Sequence, residues 1–393
     1  MQTQSNEPVI LSAVRSPFGR RNGALRETRP DALLASVIQA ALQRAGVAGE
    51  DIGDVIAGCV SQAGEQGANI ARQAALLAGL PQEVPGVSLN RMCGSSQYAV
   101  HAAAQAVAAG DLEFAIGCGV ENMSRVPMFL DLTLGQHPFS GFDNLHPDLL
   151  ARYPIPHQVE SAERVAEHWR LSRADLDAYA VESHRRAHAA RLAGWNKEIV
   201  PVAGLDFDEG VRAVVDVARM STMAPVFRSP ETGVVTAANA SQISDGASAV
   251  VIGNRAAAEA RGLKAKARFL ARVVTGSDPV MQLTGVIPAT HMALRRAGLS
   301  IADIDWIELN EAFASVALAW AAEFRPAMDK LNPWGGAIAH GHPLGATGAA
   351  LMAKMLCGLE QRDGQFGLQV MCIGHGMATA TIIERMDRII GYL

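Results

Sequence analysis

The segment "ALQRAGVAGEDIGDVI" (41–56) can be laid over "ALRRAGLSIADIDWIE" (293–308) without a gap, matching at Ala, Leu, Arg, Ala, Gly, Asp and Ile. Each copy reads as a helix closed by a glycine, Gly46 or Gly298, followed by an acidic turn and a strand. A second pair lies at nearly the same separation: "FAIGCGVENM" (114–123) falls opposite "LQVMCIGHGM" (368–377), sharing a cysteine and a methionine. A chain that carries one helix–turn–strand unit twice is constrained to build two similar halves. Around the repeat, strand-like runs ("PVILSAV", "DVIAGCV", "GVSLN") alternate with helical ones ("DALLASVIQAALQRAG", "NIARQAALLAG"). The fold class is therefore α/β, with strands apolar enough to be covered on both faces.

The repeat divides the chain. Residues 1–122, completed by 240–268, form a first half, and 269–393 a second. Residues 123–239 are an insertion of different texture. Its beginning, "PMFLDLTLGQHPFSGFDNLHPDLLARYPIPH", is rich in Pro, His and aromatics and reads as loop; "ESAERVAEHWRLSRADLDAYAVESHRRAHAARLAG" reads as helical.

Composition removes several classes of function. A net charge of -5 on 393 residues, with no basic run, leaves no stripe for tracking phosphates, so nucleic acid is not an expected partner. No stretch offers about eighteen uninterrupted apolar residues, so no membrane span is expected. The start, "MQTQSNEPVILSAVRSPFG", lacks the pattern of a secretory leader, and a cytoplasmic location is the expectation. Five cysteines, an odd number without paired close spacing, argue against a disulfide framework or a zinc site. Cys59 and Cys357 read as small buried hydrophobes.

Four short stretches carry chemistry. In "SLNRMCGSSQYAVHAAAQAVAAG" a strand runs into a turn holding Cys93, and an alanine-rich helix begins at once. A thiol there faces unpaired N–H groups and the positive end of the dipole, an arrangement expected to lower its pKa and prepare a nucleophile. In "NPWGGAIAHGHPLGATG" His342 precedes a proline at a second helix start. The glycines leave it uncrowded, and such an imidazole can activate a thiol or polarise a carbonyl. The neighbouring His340 reads as filling a tolerant position. In "VMCIGHGMATATII" Cys372 ends an apolar strand on a glycine turn, where its thiol and the N–H of Gly374 can share a cleft. "IELNEAFASVALAW" puts Asn310 and Glu311 at a strand end, where α/β folds commonly carry site residues.

In this order and joined to the half-repeat, "NRMCGSS", "NEAF", "GGAIAHGHPLGATG" and "CIGHG" resemble the nucleophile, asparagine, histidine and second-cysteine motifs of the thiolases. "SAVRSPFGRRNG" and "VVTAANASQISDGASAVV" are similar to that family too, so the resemblance covers essentially the whole chain. It implies a five-layered α-β-α-β-α fold with an inserted loop domain at 123–239 that binds CoA. It also implies thiolytic cleavage of a 3-oxoacyl-CoA, in which Cys93, activated by His342, becomes acylated and Cys372 protonates the departing acetyl-CoA enolate. Run backwards, the reaction is a Claisen condensation. His342 and a water held by Asn310 would receive the enolate oxygen; the N–H groups of Cys93 and Gly374 would hold the tetrahedral intermediate.

By position, the resemblance places His157, Gln158, Ala237 and Ser241 along the pantetheine channel, Arg212 near the nucleotide phosphates and Phe313 at the acyl end. CoA and acyl-CoA are substrates, no cofactor or metal is held permanently, and family members are homodimers or homotetramers. Two departures sit beside the catalytic cysteines: His375, where many members have glycine, and Ser96. Gln158 and Gln282 replace methionines that narrow the acyl pocket of short-chain biosynthetic members. With "VESAERVA" and "GEQGANIARQAALLAG", they favour a degradative enzyme of bulky, including steroid-derived, substrates over an acetoacetyl-CoA specialist. A non-catalytic acyl-CoA-binding member is expected to lack one or more of the four reactive residues, all of which are present here.

Overall fold

A computed structural model describes residues 6–133 and 145–386. The apolar runs form ten strands: β1 (Pro8–Arg15), β2 (Gly19–Arg20), β3 (Ile52–Gly58), β4 (Gly86–Leu89), β5 (Phe114–Asn122), β6 (Ser244–Asn254), β7 (Ala267–Gly276), β8 (Trp306–Leu309), β9 (Phe366–Ile373) and β10 (Met377–Arg385). They hydrogen-bond in the order β4-β3-β5-β6-β1-β7-β10-β9-β8, with β2 beside β6. The order is mirrored about its middle. β1 and β7 touch through two residue pairs only, Val9 with Arg268 and Ile10 with Ala267. Outward from them lie the antiparallel β6 and β10, then β5 and β9, then β3 and β8 running parallel to those. β4 ends one side; on the other, a parallel bridge from Ile307 to Leu331 takes the matching place.

The repeated sequence is repeated structure. Helices Pro30–Ala45 and Val286–Ala297 stop at Gly46 (φ 69°) and Gly298 (φ 68°), both left-handed, where glycine carries no Cβ penalty. A 3-10 turn follows each, at Gly49–Asp51 or Ile301–Asp303, and leads into β3 or β8. Helices Pro30–Ala45 and Ile70–Leu77 cover one outer face, and Val286–Ala297 with Ala314–Phe324 the other. Helices Ser95–Ala109 and Leu344–Arg362 pack between the two sheet halves, giving five layers, α-β-α-β-α. Sandwiched in this way, β5 and β6 are buried at every residue, which is why they read as continuous apolar runs rather than alternating ones.

Buried charges fasten the insertion to the first half. The guanidinium of Arg15 on β1, itself buried, holds Glu198 at 2.9 Å and Asp208 at 2.6 Å. Removing one member of such a set strands the others in low dielectric, at about 3–5 kcal/mol. The helical stretch of the insertion is two helices, Gln158–His168 and Arg173–Leu192. The second is started by Ser172, whose side chain and that of Asp175 cap each other reciprocally. The stretch read as loop contains two short helices among its described residues, Leu130–Thr133 and Pro147–Arg152. Pro147 occupies the first helical turn, where its missing N–H costs nothing, and His146 accepts the N–H of Asp148. Residues 134–144 of that stretch lie outside the described residues. Among the described residues no helix is long and apolar enough to cross a membrane, and no cluster of metal ligands occurs.

Candidate active site

Cys93 sits in a turn fixed from several directions. The Ser95 hydroxyl donates to Met92 O (2.6 Å) and accepts the N–H of Arg91 (2.9 Å), while Asn90 accepts the N–H of Met92 (2.7 Å). The turn delivers Cys93 to the start of helix Ser95–Ala109, with its own N–H and that of Gly374 directed at the thiol. The expected lowering of its pKa is not what results. Burial, reinforced by the neighbouring Cys372, outweighs these donors and pushes the Cys93 thiol up to about 12. Cys372, on β9, is pushed up to about 11 by burial, against hydrogen bonds from the Asn310 amide and the Ala312 N–H. Both thiols are protonated at neutral pH.

His342 shares the cavity with Cys93 and carries a basic ring nitrogen. Its backbone N–H donates to Gln242 O at 3.0 Å, and its ring Nδ1 lies 2.6 Å from the hydroxyl of Thr347. The single proton of that hydroxyl already goes to Pro343 O, at 2.9 Å. Nδ1 must therefore be the protonated nitrogen, and the lone pair stands on Nε2, 3.4 Å from the Asn310 amide nitrogen. Burial lowers the imidazole's pKa to about 4, so it is neutral at pH 7. Protonation thus favours the unfolded chain, and stability from this site is lost as pH falls below the unfolded value of about 6.5. Thr347→Val keeps the shape and frees the tautomer: turnover is expected to fall about 10- to 100-fold, whereas Thr347→Ser holds within about threefold. Equal rates for the two variants would remove Thr347 from this role.

A cavity of about 540 Å³ opens onto Cys93 and His342. His157, Gln158, Ala237, Ser241 and Phe313 all line it. His157 caps helix Gln158–His168 by accepting the N–H of Val159 and stacks on Phe227 with centroids 5.5 Å apart. Met123, Met128, Phe129, Ile243 and Leu344 make the walls apolar, and Arg20 and Arg21 are the cations on it.

Arg212 is not on this cavity. Asp208 is drawn to Arg15, Glu209 accepts the N–H groups of Arg20 and Ala24, and the Arg212 N–H donates to His184. The segment "DEGVR" is thereby held on the first half. Gln282 does not line the cavity either: it is fully buried and its amide is consumed by hydrogen bonds. Ser96 joins the two central helices by accepting the N–H of Ala349 at 2.9 Å. His340 is no tolerant position, being buried edge-on against Phe18 with Nδ1 beside Gly341 O at 2.9 Å.

Two carboxylates escaped the sequence reading of the glycine-rich stretch. Glu311 accepts from Tyr179 (3.0 Å), Ser183 (2.7 Å), Asn332 (2.9 Å) and the N–H of Ile338 (3.2 Å). A Cβ on Gly336 would run into this carboxylate, so the glycine makes room for it. Glu121 accepts the N–H groups of Val60, Ser61 and Gly345 and the amide of Gln66, all within 3.0 Å. The stretch is bare of charge in sequence because charges from elsewhere hold it in place. The adjacency of Glu311 to Asn310 was the signal available for one of them.

Two neighbouring thiols from the two halves, one of them on the cavity with a neutral imidazole and the other buried behind it with an asparagine amide, on this mirrored five-layer fold, define a thiolase. The chain belongs to the thiolase family: residues 8–256 match the family model "Thiolase, N-terminal domain" and residues 263–385 "Thiolase, C-terminal domain". It is 44% identical over 388 residues to the steroid 3-ketoacyl-CoA thiolase FadA6 of Mycobacterium tuberculosis, covering 97% of this chain and 94% of that one. It is 43% identical over 395 residues to the 3-ketoacyl-CoA thiolase of Serratia proteamaculans, covering 96% and 99%. Among solved structures, human mitochondrial 3-ketoacyl-CoA thiolase in complex with CoA superimposes with a TM-score of 0.89 at 31% identity, covering 98% of this chain and 99% of that one.

Proposed function

We propose that this chain cleaves 3-oxoacyl-CoA with CoA, giving acetyl-CoA or another short acyl-CoA and a shortened acyl-CoA. The observation that carries the reading is the pair of thiols, Cys93 and Cys372, flanking the Nε2 lone pair of His342 and the amide of Asn310. Relatives named 3-ketoacyl-CoA thiolase and steroid 3-ketoacyl-CoA thiolase support it. The Cys93 sulfur attacks the 3-oxo carbon as its proton passes to His342 Nε2, and the N–H groups of Cys93 and Gly374 receive the alkoxide. Collapse breaks the C2–C3 bond. The acetyl-CoA enolate leaves with its oxygen toward the His342 Nε2–H and Asn310, and Cys372 protonates its carbon. The CoA thiol then gives its proton to the Cys372 thiolate and attacks the acyl carbon; Cys93 leaves and regains its proton from His342. Each preorganised N–H donor at such an oxyanion is worth about 2.7–4 kcal/mol of barrier.

The substrate end is read as bulky and apolar, on the strength of the cavity's methionine and phenylalanine walls and of Gln158 in place of a narrowing methionine. His157, Gln158, Ala237, Ser241 and Phe313 are assigned to the CoA thioester, with Arg20 and Arg21 replacing Arg212 as the cations for its phosphates. Loss of the magnesium–enolate absorbance on adding CoA tests both parts. Eight-carbon and ring-bearing 3-oxoacyl-CoA are expected to exceed acetoacetyl-CoA in kcat/KM by about tenfold or more, since each buried CH₂ is worth about 0.8 kcal/mol. No turnover of any of them would overturn the activity, and preference for acetoacetyl-CoA the substrate class.

We assign residues 1–122 with 240–268, 123–239 and 269–393 as the first half, CoA-binding insertion and second half; the return of β6 to the side of β1 supports that division. Two copies are proposed to pair about a two-fold axis at β4, an edge strand that carries the exposed Val87 and packs beside helix Ile70–Leu77, which carries the exposed Leu76 and Leu77. Light scattering reporting a monomer would refute the pairing. Dependence on two free thiols supports a reducing, cytoplasmic location, which cell fractionation tests.

A further inference from the structure

We propose that Gln282 is a positioning residue that locks the Gly374 oxyanion donor to the helix that seats the substrate. Gln282 is fully buried and has a positive φ of 48°, an uncommon backbone state for a residue with a side chain. Its Oε1 accepts the N–H of His375 at 2.9 Å. Its Nε2 donates to Pro156 O at 2.8 Å and to the Ser161 hydroxyl at 3.0 Å.

These partners belong to two segments that meet at Cys93. His375 (φ 60°) and Gly376 (φ 74°) are the left-handed turn that follows Gly374, whose N–H is directed at the Cys93 thiol. Pro156 and Ser161 bracket the start of helix Gln158–His168, which presents His157 and Gln158 to the cavity. The Gln158 amide lies so close over Gly374 that a Cβ there would collide with it and with the Met92 sulfur. One side chain therefore sets the oxyanion donor and the substrate seat in a common register. Glycine would adopt this left-handed turn freely, whereas His375 carries a Cβ in it and must be held there, and Gln282 supplies the acceptor.

The inference rests on the proposed thiolase activity, and the test separates the two. Gln282→Met matches the length and cannot bond to the His375 N–H or Pro156 O. It is expected to lower kcat about 10- to 100-fold and to move the pH profile of Cys93 alkylation by iodoacetamide upward, because the thiolate loses an aligned donor. Gln282→Glu, whose fully buried carboxyl is expected to stay protonated, keeps an acceptor for the His375 N–H and an O–H donor for Pro156 O, and is expected to retain kcat within about threefold and the wild-type alkylation profile. A Gln282→Met enzyme that melts like wild type, with kcat within twofold and an unmoved profile, would overturn the role. If that variant does not fold, Gln282→Glu decides alone: wild-type kcat and profile support the lock, and a loss of tenfold or more overturns it. Absence of turnover in the wild type refutes the thiolase reading instead.

Discussion

Cys93→Ser is expected to lower turnover of 3-oxoacyl-CoA by about 10⁴-fold or more and to leave no acyl-enzyme detectable by mass spectrometry. The reason lies in the proton. With the thiol up at about 12 and His342 down at about 4, the ligand-free site holds a neutral pair rather than a thiolate–imidazolium pair. The proton can move only as the carbon–sulfur bond forms and negative charge appears beside the ring. A serine hydroxyl is a weaker acid again, and its oxygen a poorer nucleophile toward a carbonyl that must later leave as a thioester. The same reasoning fixes a control: the acid limb of kcat/KM should lie near pH 4 and not near 6.5. Activity above about 1% of wild type in the serine variant would remove Cys93 from the covalent role.

Cys372→Ala is expected to separate two reactions that share one site. Carbon–carbon cleavage should fall about 10³-fold, within the range a positioned general acid supplies, because nothing else near the enolate carbon offers a proton. Exchange of an acyl group between acyl-CoA and labelled CoA forms no carbanion and consumes no Cys372 proton: the proton that Cys93 gives to His342 can pass to the departing CoA thiolate and return by the same route, so exchange should persist within about tenfold. Cleavage and exchange failing together would mean that Cys372 shapes the site rather than serving as its acid. Asn310 bonds to the Cys372 thiol and faces Nε2 of His342, so its amide stands between the proposed acid and the proposed base.

What could be read from the sequence follows from what is local or repeated. The two copies of the helix–turn–strand unit are visible because Gly46 and Gly298 answer a local demand, a left-handed residue at a helix end. Cys93, Cys372, Asn310 and His342 stand in short motifs whose chemistry is carried by a few adjacent residues. What Glu121, Glu311 and Gln282 bond to was not legible, even where Glu311 and Gln282 were singled out, because their partners lie far away in the chain and no spacing announces a hydrogen bond between residues 282 and 375. Arg212, placed near the phosphates by position in the resemblance, is absent from the cavity lining, and the bonds that hold its segment, Asp208 to Arg15 among them, join residues far apart in the chain. The direction of the Cys93 pKa went wrong for a related reason. The helix start is written in sequence, whereas the burial that outweighs it is a property of the assembled fold.

The central place of β6 has a consequence for how the protein comes into being. β6 fills the gap between β5 and β1, so the first sheet half cannot close until a strand some 240 residues after β1 has been made. At synthesis rates of about 5–20 residues per second, β1 and β5 spend roughly six seconds or more on the ribosome with the side that β6 will cover unpaired. Such long-range closure is intrinsically slow. The second half, whose strands all lie within 267–385, closes over less than half that separation, when β10 reaches β7. Nascent chains ending before residue 244 should therefore be the ones that engage holdase chaperones, with release following the emergence of β6.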